Sequence, residues 1–112
     1  MSYKLFLDDE RNPIQCLSYM LSRSNHSNLS FIYKEKDWEI CRDFWSFKKC
    51  LIEKGLPDFI SFDHDLGTDE TGNTCAQFLW GYCMDDGLDI PQYVVHSMNP
   101  AGTQNIINTL SQ

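Results

Sequence analysis

Four short apolar runs in this chain each end in a polar or helix-capping cluster and lead into a segment with helical spacing. The runs are Tyr3–Leu7, Trp38–Arg42, Phe59–Phe62 and Gln92–His96. The helical segments are predicted over Pro13–Ser22, Phe44–Lys54, Thr74–Asp86 and Pro100–Leu110. Strand and helix alternating in this way predict a parallel sheet with right-handed crossovers and helices on both faces. The 112 residues suffice for one such domain, spanning 1–112, with no internal repeat and no long linker.

The helix signals are local and chemical. Asn12-Pro13 and Asn99-Pro100 each place a capping side chain before a proline suited to the first turn. Asp43 caps the second helix, which is expected to bury Phe44, Phe47, Leu51 and Ile52 and to stop at Gly55. Ile14, Leu17, Met20 and Leu21 recur at helical spacing in helix 1, and Cys75, Phe78, Leu79, Tyr82 and Cys83 form one stripe of helix 3. Trp45 and Trp80 are expected to pack in or against the core. Leu29–Tyr33 reads as an extra edge strand, followed by a turn at Lys34-Glu35-Lys36-Asp37.

Composition excludes several functions. A net charge of −7 opposes passive binding to duplex DNA or an anionic membrane. No apolar run approaches the roughly 20 residues of a membrane span, and the N-terminus does not read as an export signal. The five cysteines lack paired spacing and are expected to be buried thiols in a cytoplasmic protein.

In an open α/β sheet the carboxyl ends of the strands converge on the ligand crevice. Asp8-Asp9-Glu10, Asp63-His64-Asp65 and His96-Ser97-Met98-Asn99 all fall there. So many acids in a small volume call for a cation, and magnesium, or manganese, suits oxygen ligands beside a phosphate. Asp8, Asp9, Asp63 and Asp65 are the candidate ligands. The alternative for Asp8 and Asp9 is an acidic cluster favoured by the dipole of helix 1. Asp63 is also a candidate nucleophile toward phosphorus, and His64 and His96 are candidate general acids or bases. Arg11, Ser97, Asn99 and the Gly102 turn are candidate phosphate contacts. Capping alone would also account for Asn99, and a polar strand end for His64.

The chain resembles a shortened response-regulator receiver domain, with Asp8, Asp9, Asp63 and Ser97 at the matching positions. That likeness implies a flavodoxin-like, three-layer α/β sandwich with a mainly parallel sheet of about four strands and no fifth βα unit. The motifs Leu5-Phe6-Leu7-Asp8-Asp9-Glu10-Arg11-x-Pro13, Ser61-Phe62-Asp63-His64-Asp65-Leu66-Gly67 and His96-Ser97-x-Asn99-Pro100-x-Gly102 are more similar still to the cyclic-phosphate processing receiver-like domain of bacteria and phages. This resemblance implies a metal-dependent phosphoesterase for a cyclic nucleotide, a cyclic oligonucleotide or an RNA 2′,3′-cyclic phosphate end. It would work in the cytoplasm, or the host cytoplasm if phage-encoded. The rival expectation is a non-catalytic domain that sequesters a phosphorylated nucleotide or docks on a protein. A missing fifth strand would leave a sheet edge suited to a homodimer.

Overall fold

The computed structural model describes residues 3–21, 32–35 and 37–112. Its elements run β1 (Lys4–Leu7), α1 (Pro13–Leu21), β2 (Trp38–Cys41), α2 (Phe44–Lys54), β3 (Phe59–Phe62), α3 (Gly72–Asp86), β4 (Gln92–Val95) and α4 (Pro100–Leu110). The four strands form one sheet in the order β2-β1-β3-β4, with every pair parallel. Of the expected edge strand at Leu29–Tyr33, residues 29–31 lie outside the described residues. Residues 32–34 form one turn of 3₁₀ helix, which overturns the strand reading there.

Strand alternation sorts the core into two layers. Leu5, Leu7, Ile60, Phe62 and Val95 face α2, α3 and α4, where Phe47, Leu51, Leu79 and Ile106 complete the larger cluster. Phe6, Phe59 and Val94 face the other way, toward Cys16 of α1 and Tyr33. All five cysteines are buried and free, in keeping with their unpaired spacing. Among the described residues no helix is long and apolar enough to cross a membrane.

Two packing expectations fail. Trp45 and Ile52 lie on the outer side of α2 and are each 61% exposed, and Ile14 of α1 is exposed as well. An eleven-residue helix lying on a sheet buries one stripe, and in α2 Phe47, Cys50 and Leu51 fill it. Trp80 does pack against the larger cluster.

The register sets the level of the site. Leu7 pairs with both Cys41 and Phe62, and Phe62 pairs with Val95. The ladder runs one step further, with amides of Asp8, Asp63 and His96 donating to Cys41, Leu7 and Phe62 carbonyls at 3.1, 2.9 and 2.8 Å. Asp8, Asp63 and His96 therefore stand side by side at the carboxyl edge of the sheet.

Candidate functional site

The carboxyl edge opens into a cleft of about 550 Å³. Asp8, Asp9, Glu10 and Arg11 form one wall, Asp63 and Asp65 the floor, and Ser97, Met98, Asn99 and Pro100 the facing wall. Carboxylate oxygens of Asp8, Asp9 and Asp63 lie within 4.8 Å of one another. Three hard oxygen donors at that spacing fit magnesium or manganese.

The two buried carboxylates differ. Asp8 is 1% exposed and accepts four hydrogen bonds. Oδ1 takes the amides of Glu10 and Arg11 at 2.9 and 2.8 Å, and Oδ2 takes Arg11 Nε at 2.9 Å and His96 Nε2 at 3.0 Å. Burial pushes its carboxyl up, but the His96 bond, the two amides and the Arg11 charge outweigh it and hold Asp8 well below the usual range. Asp63 accepts the His64 amide at 2.9 Å. Burial first, and then the charge of Asp8, push it up to about 6 against the pull of Arg11. A site that holds one carboxyl so high is short of positive charge, which is the electrostatic counterpart of the fit to a divalent cation.

His96 is not in the cleft. Its ring is fully buried behind Asp8, stacked on Phe6 with centroids 4.7 Å apart and planes 3° from parallel. Nδ1 meets the Ser61 hydroxyl at 2.6 Å, and that hydroxyl meets Tyr33 Oη at 2.7 Å. A carboxylate only accepts, so Nε2 carries the proton of the Asp8 bond. With the imidazole neutral, the Ser61 hydroxyl donates to Nδ1 and the Tyr33 hydroxyl to Ser61, so the whole chain points toward Asp8. His96 therefore bonds Asp8 and Ser61 and does not line the cleft.

His64 takes a different seat. A Cβ on Gly102 would lie 2.3 Å from the His64 ring, so the first turn of α4 receives the imidazole where a side chain would otherwise stand. His64 Nδ1 lies 3.0 Å from Asp65 Oδ1, and this bond holds Asp65 below its usual range. Asn99 Nδ2 adds contacts of 3.3 Å to both oxygens of Asp65. The Asp65 side chain is 66% exposed and lines the cleft, which links His64 to it.

The facing wall offers fewer amides than its sequence suggests. Pro100 has no N–H, and the Gly102 amide donates to the capping Oδ1 of Asn99 at 3.0 Å. Ser97 is buried, and its hydroxyl accepts the Asn99 amide at 3.1 Å. The cleft thus gathers Asp8, Asp9, Arg11, Asp63, Asp65, Ser97 and Asn99, while His64, His96 and Gly102 stand behind its walls.

Sequence reasoning missed three contributors. Ser61 is a buried hydroxyl in an otherwise apolar strand, and that contrast is a usable signal, because a buried polar group needs a partner. Tyr33 gives no signal. Arg42, at the end of the second apolar run, braces the loop after β1. Its Nη1 donates to the carbonyls of Asp8 and Arg11 at 3.1 and 2.6 Å, and its Nη2 to Asn12 Oδ1 at 2.7 Å.

A second donor trio, Asp8, Cys16 and His96, is equally close but is buried throughout. Burial pushes the Cys16 thiol up to about 11, and the other two partners are bonded to each other. That trio is packing.

Comparison with known proteins agrees with the architecture. The chain is similar to the N-terminal domain of a response regulator/sensory box/GGDEF three-domain protein from Carboxydothermus hydrogenoformans. The identity is 16% and the TM-score 0.54, over 96% of this chain and 74% of that one. It is also similar to a fusion carrying the yeast Spc42 trimeric coiled coil, amino acids 181–211, at 16% identity and a TM-score of 0.56. That match covers 96% of this chain, which spans 63% of the length of the fusion. Likeness at this identity establishes the receiver-like fold alone. No curated protein matches the chain in sequence. A family model described as the cyclic-phosphate processing receiver domain matches residues 3–112. The chain belongs to the cyclic-phosphate processing receiver domain family.

Proposed function

We propose that this domain is a metal-dependent phosphoesterase that opens a cyclic phosphate or phosphodiester. The observation that carries the reading is the convergence of Asp8, Asp9 and Asp63 oxygens within 4.8 Å in an open cleft that also presents Arg11. A divalent cation held by these carboxylates would polarise the phosphoryl group and lower the pKa of a water. Arg11, the cation within the cleft walls, meets a non-bridging oxygen. The proton that the departing ribose oxygen takes comes from His64 Nδ1 by way of Asp65, the carboxyl that bonds it and lines the cleft. His96 is sealed and serves by fixing Asp8. Asn99 keeps Asp65 in place and caps α4.

The test is a screen of 2′,3′- and 3′,5′-cyclic nucleotides and cyclic oligonucleotides with magnesium or manganese. Turnover is expected with one class. Replacing Asp63→Asn or His64→Gln should reduce it by about 10² or more while leaving the fold intact. Tight binding without turnover under either metal would overturn the enzymatic reading in favour of a sequestering domain.

A further inference from the structure

Asp8 has about four acceptor sites, and all are in use. Three of the bonds are fixed in place. The Glu10 and Arg11 amides belong to a loop whose backbone is gripped by Arg42, just after β2. The His96 bond comes from a ring locked between Phe6 and Ser61. The fourth comes from Arg11 Nε, on a side chain that is 30% exposed and lines the cleft. Its Nη2 reaches to 3.9 Å from Asp63 Oδ1. One guanidinium thus spans both buried carboxylates of the seat. A divalent cation that is to use Asp8 can gain a lone pair there by side-chain rotation at Arg11 and nowhere else among these four bonds.

We propose that Arg11 is a tethered counter-ion, which the divalent cation displaces and which then clamps the phosphate. This rests on the metal seat of the proposed function and adds an order to it. In the metal-free protein the guanidinium balances Asp8 and Asp63. The incoming cation takes over that charge and frees a planar, two-pronged donor suited to two non-bridging oxygens. Because Arg42 holds the Arg11 carbonyl, the freed side chain stays at the mouth of the cleft. Cation and phosphate therefore bind with positive coupling, each tightening the other. The ligand class that follows is a phosphate ester or anhydride with two free oxygens on one phosphorus.

The experiment measures Mn²⁺ affinity by electron paramagnetic resonance of the free ion, with and without inorganic phosphate, for the wild type, Arg11→Gln and Arg11→Lys. Arg11→Gln should bind Mn²⁺ about 10-fold more tightly than the wild type, which corresponds to ~1.4 kcal/mol. It should also lose the phosphate-induced tightening. Arg11→Lys keeps a charge but not the fork, and should tighten Mn²⁺ binding less than Arg11→Gln. In the wild type, the Arg11 Nε–H resonance should be protected from solvent exchange and lose that protection on adding Mg²⁺. Equal or weaker Mn²⁺ binding by Arg11→Gln would overturn the role of Arg11 and leave the metal site standing. No Mn²⁺ binding by any of the three proteins would overturn both.

Discussion

Asp8 and Asp63 are the same side chain at the same level of neighbouring strands, yet they have opposite charge preferences. The difference is the count of donors: four reach Asp8, whereas Asp63 has the His64 amide and a distant arm of Arg11. Stability then depends on pH with opposite signs at the two residues. Asp8, depressed in the fold, contributes stability that is present above its unfolded pKa and lost on acidification. Asp63, raised to about 6, costs stability as the pH climbs from the unfolded carboxyl range through 6, because the folded form must give up a proton it holds more tightly. In metal-free buffer, Asp63→Asn should therefore gain on the wild type between pH 4.5 and pH 7 by about 1–3 kcal/mol, read from urea midpoints. An unchanged difference would mean that Asp63 is solvated. None of this asymmetry is visible in the sequence, where Asp8 and Asp63 look alike. What is visible there is that both end a strand. His96 shows the same limit. Its position at a strand end is readable, but whether the ring faces the cleft or lies behind Asp8 depends on Ser61 and Phe6, which belong to other strands.

Elements are more legible than side-chain roles, because their signals are local. The bounds of α2, β3 and α4 agree with the predicted ones. The start of α3 differs: Thr71 and Thr74 cap each other reciprocally, so the helix begins at Gly72 rather than Thr74. In the sequence Gly72 reads as loop because of its conformational freedom. Here it is needed for closeness instead: a Cβ would stand 1.9 Å from the Asp63 carbonyl oxygen, since the Gly72 amide donates to the His64 carbonyl at 2.7 Å. A methyl group added at Gly81, further along the same helix, would meet nothing within 4 Å. Gly72→Ala should thus destabilise by about 1–3 kcal/mol, while Gly81→Ala should stabilise by about 0.5–1 kcal/mol. Thermal denaturation of the pair separates contact from helix propensity, and equal effects would reject the distinction.

At the scale of the molecule, the site and the sheet are one construction. β1 and β4 are separated by β3, yet Asp8 and His96 join them through a bond that crosses over Ser61. His96→Ala should remove that tie, take one partner each from Asp8 and Ser61, and open a cavity beside Phe6. A loss of roughly 2–4 kcal/mol in urea unfolding is expected, and a loss under about 1 kcal/mol would show that the tie is slack. The alternation of strand and helix makes the parallel architecture readable, because each crossover is set by neighbouring segments. The division of labour between the two faces is not readable, since it depends on how much of each helix the sheet can cover. That division distributes the thiols unevenly: Cys16 is sealed on the inner side of α1, while Cys41, Cys50, Cys75 and Cys83 are sealed on the opposite face of the sheet. With burial also pushing Cys16 to about 11 and Cys41 to about 12, none is poised to react while the sheet stays closed. The native cysteines thereby act as a built-in clock for breathing motions, with one hand for each face, and need no engineered label.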